Sequence, residues 1–343
     1  MINLIYYEES GIKEQLMLIL EAIVLWPCFL RDMLKIKLLT FVCLFISALP
    51  VSYATATACH GKGVWLQVLG SGGPEINDGR TSSGYLVWQD GHARILVDMG
   101  SGVLSRFEQS QASVNDLDVI LLTHLHADHS NDLPALIKSS FFTRRDRDLL
   151  LYGPTGNHLM PSTTGFVQGL FGEEGAFRYL SDFLDGTRPY RLLPVDVNIK
   201  LEDTTVVVDN KRFQISAIPV NHGPIPAIAW RIDIDGKSVV YSGDMSNKKN
   251  VLWRLARQAD ILVAHHAINE VARPIARNLH MPPSEIGRIA EKAGVKQLVL
   301  SHRMKRTLGN ETEALSIIRE SYKGLVKFAD DLQCFELNDK NRE

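Results

Sequence analysis

Thr123-His124-Leu125-His126-Ala127-Asp128-His129 places three histidines and a carboxylate within a few residues, directly after the apolar run Val119-Ile120-Leu121-Leu122. The run reads as a buried strand, so the histidines begin where a strand ends. Neutral imidazole and carboxylate are ligands for zinc and similar borderline metals. In extended chain, residues two apart point the same way, so His124 and His126 can hold one ion together. Asp128 and His129 follow at the turn into the next helix, where they can face a second ion. The plainer alternative, a polar strand-to-helix loop that binds nothing, leaves this density of ligand-type side chains unexplained.

Three more such residues close apolar runs downstream. His222 follows Arg212–Val220, Asp244 ends Val-Val-Tyr-Ser-Gly-Asp, and His302 ends Gln-Leu-Val-Leu-Ser-His. Sites in α/β proteins sit at strand ends of this kind. Strand-like runs also occur at Val64–Leu69, Tyr85–Trp88, Arg94–Val97, Leu149–Tyr152, Thr205–Val208, Ala227–Ile234, Ser238–Tyr241, Ile261–Ala264 and Gln297–Leu300. Helical patterns fit Val103–Gln109, Asn131–Ser139, Val251–Gln258, Pro283–Ala293 and Thr312–Lys323. The clearest has Pro at its start, Ile286, Ile289, Ala290 and Ala293 on one face, and Gly294 as terminator. Mixed strands and helices in two strand-rich halves imply an α/β fold, an αββα sandwich, formed by one domain over residues 59–343. Residues 153–190 are expected as an aromatic-rich insertion that either lines the substrate cleft or packs a small helical subdomain.

The chain has 343 residues, 45% hydrophobic and 22% charged, an ordinary globular composition. Its first 58 residues differ. Met33-Leu-Lys-Ile-Lys, the apolar run Leu38–Val51 and the small residues of Ser52–Ala58 follow the order of a secretory signal. Translation from Met33 would suit it, with residues 1–32 as an upstream extension, and the alternative is an uncleaved anchor. A periplasmic or secreted protein with no stable membrane span after cleavage is expected. Four of the 37 basic and five of the 39 acidic residues precede residue 59, leaving 33 against 34. So balanced a chain has no global basic field, and nucleic acid reads as an unlikely partner. The expected partner is a small anionic ester, and a homodimer is left open. Cys59 and Cys334, near the two ends of the mature chain, form a plausible disulfide in an exported protein. A lipidated Cys59 is the rival reading.

The clustered histidines with the separated His222, Asp244 and His302 resemble the metallo-β-lactamase superfamily of hydrolases, from about residue 63 to the end. That resemblance implies that His124, His126 and His222 hold one metal, that Asp128, His129 and His302 hold another, and that Asp244 bridges them. It implies two Zn2+ ions, with Mn2+ or Fe2+ as alternatives, and a metal-bridging hydroxide as nucleophile. His280, in Asn-Leu-His-Met-Pro-Pro-Ser, and the loop Leu69-Gly-Ser-Gly-Gly-Pro74 resemble the ribonuclease Z branch, in which an equivalent histidine protonates the leaving group. Asp128 and His280 are thus the expected catalytic residues, and Asp98 the carboxylate that orients a ligand imidazole. His265, His266 and Arg303 are expected to contact substrate.

The ribonuclease Z branch commonly carries a tRNA-gripping arm where this chain has only the short interval between His222 and Asp244. The insertion's Gly-Pro-x-Gly-x-x-x-Met-Pro-Ser-Thr-Thr looks more like zinc-dependent arylsulfatases. The leading expectation is therefore an exported zinc hydrolase of sulfate or phosphate esters, arylsulfatase-like. The alternatives are a ribonuclease Z-like phosphodiesterase acting on RNA 3′ ends and, from another class, an inactive metal-binding module.

Overall fold

Period-2 alternation builds the molecule, because the central strands are covered on both faces and their two sets of side chains enter different cores. In the computed structural model, residues 59, 61–198, 200 and 203–337 are described. The leader expected over residues 1–58 lies outside them. No helix among the described residues is long and apolar enough to cross a membrane.

The first sheet has the order β14-β1-β2-β3-β4-β5-β6, formed by β1 (Val64–Gly70), β2 (Gly84–Gln89), β3 (His92–Met99), β4 (Val119–Leu121), β5 (Leu149–Pro154), β6 (Leu192–Val197) and β14 (Cys334–Glu336). The second has the order β13-β12-β11-β10-β9-β8-β7, from β7 (Thr205–Asp209), β8 (Phe213–His222), β9 (Ile225–Ile234), β10 (Lys237–Tyr241), β11 (Ile261–His265), β12 (Gln297–Ser301) and β13 (Leu325–Phe328). Both sheets are mixed: β1, β2 and β3 pair antiparallel and β3 to β6 parallel. Likewise β7 to β10 pair antiparallel and β10 to β13 parallel.

Leu66, Val68, Tyr85, Val87, Ile95 and Val97 face Ile215, Ile228, Trp230, Ile232, Tyr241 and Val263 in the core between the sheets. Their strand neighbours point outward. Leu86, Leu96 and Ile120 pack under α1 (Val103–Gln109) and α3 (Leu133–Ser140). A short α2 (Ala127–Ser130) precedes α3. On the other face Val240, Leu262, Leu298 and Leu300 pack under α6 (Leu252–Leu255), α8 (Pro283–Ala293) and α9 (Glu311–Ser321). The sheets are also joined by hydrogen bonds, from Ile228 N–H to Thr123 O at 2.9 Å and from Trp230 Nε1–H to Leu122 O at 3.1 Å. These two sandwiched sheets are the expected αββα arrangement.

The insertion resolves into α4 (Thr163–Phe171), a 3₁₀ turn at Arg178–Leu180 and α5 (Asp182–Asp185). Ser162 caps α4 by accepting from Gly165 N–H. Phe171 and Phe183 are buried in the core beside the first sheet. Phe166, Phe177 and Tyr179 line a groove of about 620 Å³ that reaches Leu125 and Ala127. The insertion thus packs a small helical unit against the first sheet and also exposes aromatic faces along this groove. Cys59 and Cys334 are disulfide-bonded, with Cα atoms 5.9 Å apart, where β14 pairs antiparallel with β1.

Candidate metal centre

The loop after β4 delivers His124 and His126, and the first turn of α2 delivers Asp128 and His129. His222 ends β8, Asp244 follows β10 and His302 follows β12. These residues converge. His124, His126, His222 and Asp244 each bring one ligand atom within 4.8 Å of the others, and so do His129, Asp244, His265 and His302. Asp244 belongs to both groups. Its Oδ2 lies 3.6 Å from His222 Nε2 and 4.0 Å from His124 Nε2, whereas its Oδ1 lies 3.4 Å from His302 Nε2. Asp128 Oδ2 stands 3.4 Å from His129 Nε2 and 3.2 Å from His302 Nε2. His280 completes the cluster, with Nδ1 3.9 Å from Asp244 Oδ1.

The groups behind these side chains leave their lone pairs free for a cation. His222 Nδ1 lies 2.9 Å from Leu279 O, and a carbonyl only accepts, so the proton sits on Nδ1. His129 Nδ1 lies 2.8 Å from Asp98 Oδ2 in the same way. Nε2 of both rings is buried without a hydrogen-bond partner, a costly state unless a metal or another donor is met there. His124 Nε2 and His126 Nδ1 are only 3.0 Å apart, as two imidazoles sharing a cation would be. The donor set of imidazole and carboxylate fits zinc or a similar divalent ion.

Electrostatics point the same way. Burial holds His124 well below the ordinary histidine range, His265 at about 3 and His280 at about 4, so these rings are neutral. Burial also opposes charge on His129 and His302, but Asp98 and Asp128 raise the first, and Asp244 and Asp128 the second. Asp128 and Asp244 remain ionised because the histidines around them outweigh burial. The buried carboxylates thus favour positive charge at His129 and His302, which a divalent cation on their ring nitrogens would supply in place of a proton.

Backbone shape places these groups. Asp98 adopts left-handed φ of 57°, tolerated by aspartate, and accepts from Thr123 N–H at 2.7 Å and Thr123 Oγ1–H at 2.8 Å. Gly73, in the Gly-Ser-Gly-Gly loop, leaves room for His302: a Cβ there would lie 2.8 Å from His302 Cε1.

His265, His266 and Arg303 are not placed to contact substrate, which corrects that expectation. Adjacent residues at a strand end face opposite ways. His265 turns to Asp244, while His266 is fully buried beside Phe328. Arg303 is 4% exposed and pairs with Glu311 and Asp330. Tyr85, Thr123 and the Leu279 carbonyl support the centre without any signal in the sequence, since each acts through a contact distant along the chain or through the backbone.

Residues 93–303 match the family described as Beta-lactamase superfamily domain. A ribonuclease Z of Mycobacterium sp. (strain KMS) is 30% identical, over 79% of this chain and 95% of its own. Human tRNase Z, short form, superposes with a TM-score of 0.60 at 19% identity, covering 80% of this chain and 99% of that one. The metallo-β-lactamase fold protein YhfI from Bacillus subtilis gives 0.59 at 22%, covering 79% and 98%. These two likenesses concern the fold. The ribonuclease Z relatives overturn the expectation that nucleic acid is an unlikely partner. A net charge sums the whole surface and does not report the field at one site, so near-neutrality carried less weight than it was given. With the match running from β3 to the residue after His302, and a relative 30% identical along most of both chains, the chain belongs to the β-lactamase superfamily.

Proposed function

We propose that this metal-dependent ester hydrolase is a phosphodiesterase acting on RNA 3′ ends, with zinc in both ligand groups. The observation that carries the reading is the Asp244 carboxylate, set between the two groups with Oδ2 3.6 Å from His222 Nε2 and 3.9 Å from His129 Nε2, and with Oδ1 3.4 Å from His302 Nε2 and beside His280. The ribonuclease Z relatives favour a phosphodiester over the sulfate ester of the leading expectation. His124, His126 and His222 with Asp244 would hold one ion, and Asp128, His129 and His302 with Asp244 the other. Bound there, divalent ions supply Lewis acidity toward a phosphoryl group and lower the pKa of water. The negative charge of Asp244 offsets repulsion between the two cations.

His280 donates its backbone N–H to Ala276 O at the end of α7 (Pro274–Leu279) and sets its ring 5.4 Å from that of His222. It is our candidate to protonate the leaving oxygen, a role that requires the negative phosphoryl group of a bound substrate to raise its pKa from the value of about 4 that burial imposes. Tight turns at 223–224 and 235–236 join β8, β9 and β10 and fill the interval between His222 and Asp244. Base recognition is assigned instead to the groove of Phe166, Phe177, Tyr179 and Lys138, which offers aromatic faces and a cation beside the centre.

His280→Ala should keep its metal content while turnover on diesters with poor leaving groups falls by about 10²–10⁴. Nitrophenyl diesters, whose leaving group needs no proton, should suffer much less. Equal losses on both would make His280 a positioning residue. Turnover of aryl sulfates with none of RNA or phosphodiesters would overturn the substrate class.

A further inference from the structure

His265 has both ring nitrogens engaged by groups other than the histidines of the two ligand groups. Its Nδ1 lies 2.7 Å from Asp244 Oδ1, and its Nε2 lies 3.2 Å from the Tyr85 hydroxyl. Tyr85 Oη is in turn 2.9 Å from Ser301 Oγ. All four residues are buried, at 2% exposure or less for His265, Tyr85 and Ser301 and 3% for Asp244. The His265 ring stacks on His302, centroids 4.8 Å apart with planes 18° from parallel, so it is held in plane as well as at its edges. Its own backbone N–H is fixed by Ser242 Oγ at 3.1 Å.

With Asp244 taken as the shared ligand, as proposed above, we infer that His265 is a positioning residue that holds the carboxylate in its bridging orientation, and that Tyr85 holds His265. A carboxylate only accepts, so the His265 proton lies on Nδ1 and is donated to Oδ1. Nε2 of the neutral ring can then only accept, so the single Tyr85 O–H proton is shared between Ser301 Oγ at 2.9 Å and Nε2 at 3.2 Å. Burial raises the Tyr85 phenol far above its usual range, so it keeps its proton. Bridging needs the Asp244 carboxylate plane fixed, because a rotation that suits one ion withdraws an oxygen from the other. His265 restrains that rotation through the oxygen facing His302. The chain Ser301–Tyr85–His265–Asp244 also crosses between the sheets, since Tyr85 belongs to β2 and the other three to the end of the second sheet.

His265→Leu removes the donor, and His265→Asn restores one, because the asparagine Nδ2 stands as many bonds from Cβ as Nδ1 does. Zinc binding to each full-length variant would be measured by competition with a chelator, with ions counted by native mass spectrometry. His265→Leu should weaken the more labile zinc by about 10–100-fold, His265→Asn should recover most of that loss, and Tyr85→Phe should fall between. Wild-type zinc affinity in His265→Leu would overturn the inference. So would equal losses in the Leu and Asn variants, which would make His265 a ligand or a packing residue. Asp244→Asn separates this from the reading beneath it: two ions at full affinity there would remove Asp244 as the bridge, whatever His265 does.

Discussion

Asp98→Asn is the sharpest test of how the centre is kept ready for metal. The carboxylate is fully buried and accepts three hydrogen bonds, from Thr123 N–H, Thr123 Oγ1–H and His129 Nδ1–H. Asparagine has the same shape and tolerates left-handed φ as well as aspartate does, so the backbone should stay in place. Its carbonyl can keep the 2.7 Å bond to Thr123 N–H. Its amide then faces His129 Nδ1 and must donate, which drives the imidazole proton to Nε2, the atom aimed at the centre. A protonated Nε2 cannot ligate. The expected cost is about 10–100-fold in zinc affinity, roughly 1.4–2.7 kcal/mol, confined to the ion near His129. The lost charge-assisted bond should lower the stability of the metal-free protein by a further 1–3 kcal/mol or so. Zinc competition gives the first quantity and denaturant unfolding after chelation gives the second. Unchanged affinity for both ions would refute the tautomer argument.

Gly73→Ala places a methyl 2.8 Å from His302 Cε1, so His302 must shift; zinc content should fall toward one ion while the fold, followed by circular dichroism, is retained. Export is proposed from the leader pattern together with the Cys59–Cys334 pairing. Protein expressed with its leader should mature to a chain beginning near residue 59, with both thiols absent from alkylation and mass analysis. Replacing both cysteines by serine should cost about 2–5 kcal/mol in denaturant unfolding; free thiols or a lipid on Cys59 would contradict the pairing.

The ligands were legible because His-x-His-x-Asp-His is dense and local, and because strands ending in His222, Asp244 and His302 announce themselves by hydrophobic runs. Helix α8 was legible for a similar reason, with proline and glycine marking its ends. β6 was not, since Pro194 argues against a strand, yet β6 is an edge strand where proline costs no ladder bond. α4 was hidden by Gly165 and Gly169, although Ser162 gave a capping signal. His265 was misread as a substrate contact because its partners, Asp244 and Tyr85, come near only through folding and, for Tyr85, from the other sheet.

The ligands are divided across a seam: the loop after β4 belongs to the first sheet, and His222, Asp244 and His302 to the second. Two hydrogen bonds, at Thr123 and Leu122, fix that seam within a few residues of His124. A slide of one sheet over the other, too small to unfold the sandwich, would change distances between halves of the same coordination sphere. The centre therefore works as a gauge of alignment. Loosening the apolar layer beneath it, at Trp230 for example, should surface as lost metal before it surfaces as lost structure, so part of the chemistry at the rim is governed from the interior.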